Sequence, residues 1–174
     1  KKEVREYFSV YCGHCFKFEP VMHNLKKSLP EDASFERNHV DFLRGASPTA
    51  QNMITKATIV AEQLGDADKL IGAIFNYIQV QRAVITSEKD LRNIFVLNGA
   101  DGEQFDKLMK SFSVNSQAKS LKKYQDNMAE KRVLTGVPTI IVNGKYKIDP
   151  SKLDANNFEQ DYQNLVKYLL ELDS

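Results

Sequence analysis

The chain holds only two cysteines, Cys12 and Cys15, three positions apart in the run Phe8-Ser9-Val10-Tyr11-Cys12-Gly13-His14-Cys15-Phe16. An apolar run with Val4, Tyr7, Phe8 and Val10 leads into it, and an amphipathic helical pattern leads out. At such a strand-to-helix junction a Cys-x-x-Cys pair reads as a redox motif. The first turn of a helix offers backbone N–H groups with no intrahelical acceptor and the positive end of the macrodipole. A Cys12 thiolate is stabilised there, and the thiolate is the reactive form. Spacing of three brings Cys15 round one turn later, within reach of Cys12. His14 between them adds positive charge when protonated.

Two other readings of the pair are weaker. A structural disulfide would close a very short loop, and the stabilisation from a crosslink grows with loop length. A zinc centre needs a tetrahedral ligand set. There is no second Cys pair, so His14, His23 and His39 would all have to converge.

The elements that position the pair follow from periodicity and punctuation. Residues 3–10 read as a buried strand. Phe18, Val21, Met22, Leu25 and Leu29 then recur at helical spacing until Pro30, and Pro20 inside that helix should kink it. Residues 34–42 read as a second strand, parallel to the first because a helix makes the crossover. Ser47-Pro48 opens a series of helices that continues to about Lys131. Its apolar stripes include Met53, Ala57, Val60, Ala61 and Leu64, then Leu70, Ile71, Ile74, Phe75 and Ile78. Ser87 and Asp90 suggest a capping box, and these stripes read as core. Strand character returns over 139–142 and 145–148 around Asn143-Gly144, a strong hairpin signal. Phe158, Tyr162, Leu165, Val166 and Leu169 close the chain as an amphipathic helix. The fold class is α/β: a thioredoxin-like βαβ-ββα domain (1–43 and 129–174) interrupted by an all-helical insertion domain (44–128).

With 42% hydrophobic residues over 174 positions, the chain can bury a sizeable core. A net charge of +1 with both signs well mixed gives no basic stripe for nucleic acid and no bias toward acidic substrates. No apolar run is long enough to span a bilayer as a helix. The chain opens on Lys1-Lys2-Glu3 without Met or signal peptide, which suggests a mature or trimmed form. With both cysteines in the motif, no stray thiol is left to mispair in an oxidising compartment.

Gly136-Val137-Pro138 precedes the returning strand, where a residue unable to donate to the ladder belongs. On residue type alone a trans peptide is the usual state there. The Phe-x-x-x-Cys-x-x-Cys arrangement, Cys-Gly-His-Cys, the Gly-Val-Pro-x-x-x-Val-Asn-Gly-Lys-Tyr run (136–146) and the helical insertion together resemble the DsbA-type bacterial thiol:disulfide oxidoreductases. The resemblance runs over essentially the whole chain. It implies a cis Val137-Pro138 peptide facing the cysteine pair and offering backbone groups to an extended substrate, a form of strand addition. It implies that Glu6 and Arg37 form a buried acid–base pair beneath the motif, with Glu19 as a second acid near it. By residue type, Arg37 and Glu19 could equally sit on a solvated face.

The sequence departs from the family pattern in places. Arg37 stands where lysine is common, Gly13 stands where many members carry proline, and the usual N-terminal strand before Lys1 is missing, which would leave a sheet edge uncovered. Function follows the resemblance: a dithiol oxidase using no cofactor beyond its own disulfide and acting on unfolded exported proteins with free thiols. It would be reoxidised by a DsbB-type, quinone-linked membrane protein, in the periplasm, as a monomer. A disulfide isomerase or reductase using the same pair is the main alternative. A peptide-binding module with incidental cysteines, and a glutathione-dependent transferase of related fold, fit the motif less well.

Overall fold

A computed structural model describes residues 1–172. Strand β1 (Lys2–Phe8) leads to helix α1 (Gly13–Ser28) and strand β2 (Ala33–His39). Five helices follow: α2 (Pro48–Gln63), α3 (Ala67–Phe75), α4 (Glu88–Leu97), α5 (Gly102–Lys110) and α6 (Phe112–Glu130). The chain then returns through β3 (Thr139–Val142) and β4 (Tyr146–Lys147) to α7 (Phe158–Glu171). The sheet order is β2-β1-β3-β4, with β1 parallel to β2 and antiparallel to β3. This is the mixed α/β, thioredoxin-like arrangement that the sequence pattern indicates.

Alternation along β1 decides what each face holds. Val4 points into a core built with Met22 and Leu25 of α1, Ile140 of β3, and Tyr162 and Val166 of α7. Tyr7 points the other way, toward Val40, Ile141 and Leu134, with Met128 of α6 against them. Phe8 and Val10 join the core of the helical series together with Cys15, and Phe16 of α1 stacks on Phe75 of α3 at 5.4 Å. The base of the cysteine motif is thus packed against the helices that follow β2.

Several boundaries differ from the sequence reading. β1 stops at Phe8, and Ser9 turns the chain: Cys12 N–H donates to Ser9 C=O at 3.1 Å, and Tyr11 N–H to Ser9 Oγ at 3.0 Å. β2 ends at His39, three residues early, as the chain turns toward α2. α1, by contrast, runs for 16 residues with Pro20 inside it and ends at Ser28, before Pro30, as its pattern indicates. The apolar stripe through Ile78 is interrupted: α3 ends at Phe75 and a π-helical turn spans Asn76–Val80. Asn143 and Gly144 both take positive φ at the hairpin, 54° and 67°, as a two-residue turn of this type requires. Ser87 and Asp90 do form a capping box on α4.

Candidate functional site

Cys12 is the N-cap of α1. Its backbone is extended (φ −97°, ψ 117°), and its sulfur accepts the Cys15 N–H at 3.1 Å. A serine or aspartate oxygen usually takes that place; here the acceptor is the reactive atom itself. Both cysteines are free thiols, Cys12 half-buried and Cys15 fully buried. The Cys15 S–H shared with Cys12 lowers the Cys12 thiol most. Burial opposes this, the Cys15 and His14 N–H groups and the His14 charge reinforce it, and the outcome is about 6. The same sharing pushes Cys15 far above the ordinary thiol range, and burial adds to that. At neutral pH one sulfur is a half-exposed thiolate and the other a buried thiol. Gly13 takes the first helical position, where proline is also at home. A Cβ there would meet nothing closer than Gln79 Oε1 at 3.9 Å, so the glycine answers no steric demand.

Across from Cys12, its sulfur lies 3.5 Å from the carbonyl oxygen of Val137. The Val137–Pro138 peptide is cis. Thr139 Oγ1 donates to Gly136 C=O at 2.7 Å and ties the turn to the start of β3. Val137 and Pro138 join His14, Lys17, Phe18 and Phe158 around a largely apolar groove of about 440 Å³.

Beneath the motif, Glu6, Arg37 and Glu19 are all buried, so the solvated-face reading of Arg37 and Glu19 is overturned. The parallel register sets Glu6 opposite Arg37. Arg37 Nε donates to Glu6 Oε1 at 3.1 Å, Nη2 pairs with Glu19 Oε2, and the guanidinium lies 4.2 Å from the centre of the Phe8 ring. Burial raises the Glu6 carboxyl; Arg37 pulls it back only in part, Glu19 adds to the rise, and it reaches about 7. Burial opposes the Arg37 charge too, but the two carboxylates outweigh it and hold the guanidinium above its ordinary range. His23 extends the cluster toward α3, with Nε2 3.5 Å from Glu19 Oε1 and 3.6 Å from Asp68 Oδ1.

All ten residues singled out from the sequence therefore fall in one region: Cys12 at the mouth with Cys15 buried behind it, His14, Gly13 and the 136–138 turn around them, and the three charged groups below. Residues outside that set also contribute. His39 and Gln79 both bond the Val10 peptide. The Tyr162 hydroxyl, which the Glu6 carboxylate influences, is buried on the α1–α7 side. Among the described residues, no group of three or more His, Cys, Asp or Glu side chains comes together as a metal site.

The model of the DSBA-like thioredoxin domain matches residues 3–163. Thiol:disulfide interchange protein DsbA of Escherichia coli strain K12 is 39% identical over 97% of this chain and 80% of its own length. The protein of that name from Salmonella typhimurium strain LT2 is 40% identical over the same shares. Among solved structures, Proteus mirabilis DsbA with a non-covalently bound peptide PWATCDS superposes with a TM-score of 0.85 at 32% identity, covering 98% of this chain and 89% of that one. DsbA of Klebsiella pneumoniae follows at 0.81 and 31% identity, covering 96% and 87%.

Proposed function

The chain belongs to the DSBA-like thioredoxin domain family and is a thiol:disulfide oxidoreductase, and from that premise we propose that it is a dithiol oxidase. The observation that carries the direction is the division of labour between the sulfurs, a Cys12 thiolate at neutral pH beside a buried Cys15 thiol. An ionised Cys12 stabilises the reduced protein and so makes its disulfide more oxidising. With a thiol at about 6 in place of 9, the gain at pH 7 is up to about 30 mV for a two-electron couple.

In the oxidised protein a substrate thiolate attacks Cys12 Sγ. The Cys12–Cys15 bond breaks, and its electron pair leaves on Cys15, which takes up a proton. A second substrate thiolate then attacks the substrate sulfur of the mixed disulfide and expels Cys12 as a thiolate. Substrate loses two electrons and the protein gains them; no further cofactor enters. The Val137 carbonyl beside Cys12 suits main-chain pairing with an extended substrate, in keeping with the peptide held by the Proteus mirabilis relative.

Residues 1–43 and 129–174 act in this reading as the thioredoxin-like domain, and 44–128 as the insertion. Unfolded exported proteins supply the thiols, a DsbB-type quinone-linked membrane protein restores the disulfide, and the periplasm is the site of work for a monomer.

The test is the reduction potential of the pair against glutathione, together with trapping. Given a cysteine peptide as its own disulfide dimer, the Cys12 thiolate of Cys15→Ser should attack it, release one peptide thiol and hold the mixed disulfide, visible by mass spectrometry, and Cys12→Ser should not. A potential as low as that of a cytosolic reductant such as thioredoxin would overturn the oxidase and favour the reductase or isomerase reading.

A further inference from the structure

Val10 lies between the end of β1 and Cys12, and both polar groups of its backbone are gripped by side chains from elsewhere. The Gln79 amide donates to Val10 C=O at 2.9 Å. Val10 N–H donates to His39 Nε2 at 3.3 Å, and His39 Nδ1 lies 2.9 Å from Thr55 Oγ1. Burial, with Arg37 close by, pushes the His39 imidazole down to about 3, so the ring is neutral. A neutral ring accepting at Nε2 carries its proton on Nδ1, which donates to Thr55. The Thr55 hydroxyl in turn donates to Gln51 C=O at 3.1 Å.

Thr55 belongs to α2, and Gln79 to the π-helical turn after α3. An added residue of this kind re-aims side chains and recurs at functional sites. Here it brings Gln79 over the cysteine loop. Only the NH2 end of the amide can donate to a carbonyl, so Oε1 faces the motif, 3.9 Å from where a Cβ on Gly13 would stand.

We propose that Gln79 and the His39–Thr55 pair are positioning residues through which the helical segment fixes the turn entering the redox motif, and so holds Cys12 Sγ on its donors. The inference rests on the reading of Cys12–Cys15 as the redox pair. Tyr11 and Cys12 N–H are already committed to Ser9; the Val10 groups are the ones secured from outside. Cys12 is the residue at which this turn ends, so slack at Val10 passes to the 3.1 Å contact between its sulfur and Cys15 N–H.

Gln79→Met keeps the length of the half-buried side chain and removes both amide groups. Gln81→Met is the control: that amide bonds Asn76 Oδ1 in the same turn and does not touch Val10. Gln79→Met should raise the Cys12 titration midpoint by about half a pH unit or more, and make the pair about threefold less oxidising against glutathione. Gln81→Met should move neither. Thr55→Val, which strips His39 Nδ1 of its partner, should shift both readouts the same way. A folded Gln79→Met protein with the parent's midpoint and exchange equilibrium refutes the proposal. Equal shifts in Gln81→Met refute it too, because they report general loosening of the turn. A parent protein with an ordinary thiol midpoint and a reducing pair overturns the reading of the site, and this inference with it.

Discussion

Replacing Glu6 by glutamine should stabilise the reduced protein at pH 8 and leave its stability nearly unchanged at pH 4. The carboxyl is raised from 4.5 to about 7 in the folded chain, chiefly because it is buried. A group whose folded pKa lies above its unfolded one gives up its proton more readily when the chain unfolds. Stability is therefore lost as pH climbs from the unfolded value toward the folded one, and the loss is complete above about 7. At about 1.4 kcal/mol per unit the full effect is roughly 3 kcal/mol. Glutamine behaves as a permanently protonated Glu6 and can still accept from Arg37 Nε, so most of that difference should be recovered. For a chain of this length it corresponds to a rise in Tm of about 6–12 °C.

Cys12 complicates a single stability curve, because its thiol is lowered to about 6. Its contribution has the opposite sign: present above the unfolded thiol pKa of about 9 and lost as pH falls through 6. Urea unfolding of both proteins under reducing conditions, every half unit from pH 4 to 8.5, cancels that slope to first order in the difference. The difference should be flat below about 4.5, rise to about 7 and then level off. A pH-independent difference, or a Glu6→Gln protein less stable than its parent at pH 8, would refute burial as the dominant influence on Glu6.

Other substitutions probe the same site. Arg37→Met leaves Glu6 and Glu19 buried without their shared cation, and should cost about 3–5 kcal/mol near neutral pH. Its deficit should shrink in acid as the Glu6 carboxylate takes up its proton, and urea unfolding at pH 7.5 and 4.5 measures the contrast. Cys15→Ala removes the strongest influence lowering Cys12, whereas His14→Ala removes only an exposed charge of lesser weight. Thiolate absorbance should show the Cys12 midpoint rising further in the first variant than in the second; the reverse order would place His14 above the internal thiol.

Which of these residues could be read from the chain depends on whether one element or two must be known. Cys12 and Cys15 needed only their spacing and the turn from apolar alternation to helical period. Glu6 shares a strand face with Val4 and Phe8 by parity, so its burial follows from the pattern of β1 alone. Glu19 follows Cys15 by four positions on α1, which puts both on one helical face. The meeting of Glu6 with Arg37, by contrast, requires the offset between β1 and β2. Neither strand encodes that offset; the crossover helix and the packing of both faces fix it. Family resemblance, not periodicity, brought Arg37 into view.

His39 and Gln79 lie beyond both routes. His39 reaches Val10 because β2 ends opposite Phe8 and the chain then swings into α2, a path that no local signal describes. Gln79 depends on the π-helical turn. A single helix running on through the stripe ending at Ile78 is what a period of 3.6 predicts, and one extra residue in the turn changes the direction of every side chain after it. Apolar residues register such a change weakly, since Tyr77 and Ile78 still find partial cover against the core. A hydrogen-bonding residue registers it fully, because its amide either meets the Val10 carbonyl or misses it. The groups hardest to find in the sequence are therefore those whose placement depends most sharply on the relation between elements, and they hold the loop on which the Cys12 thiolate depends.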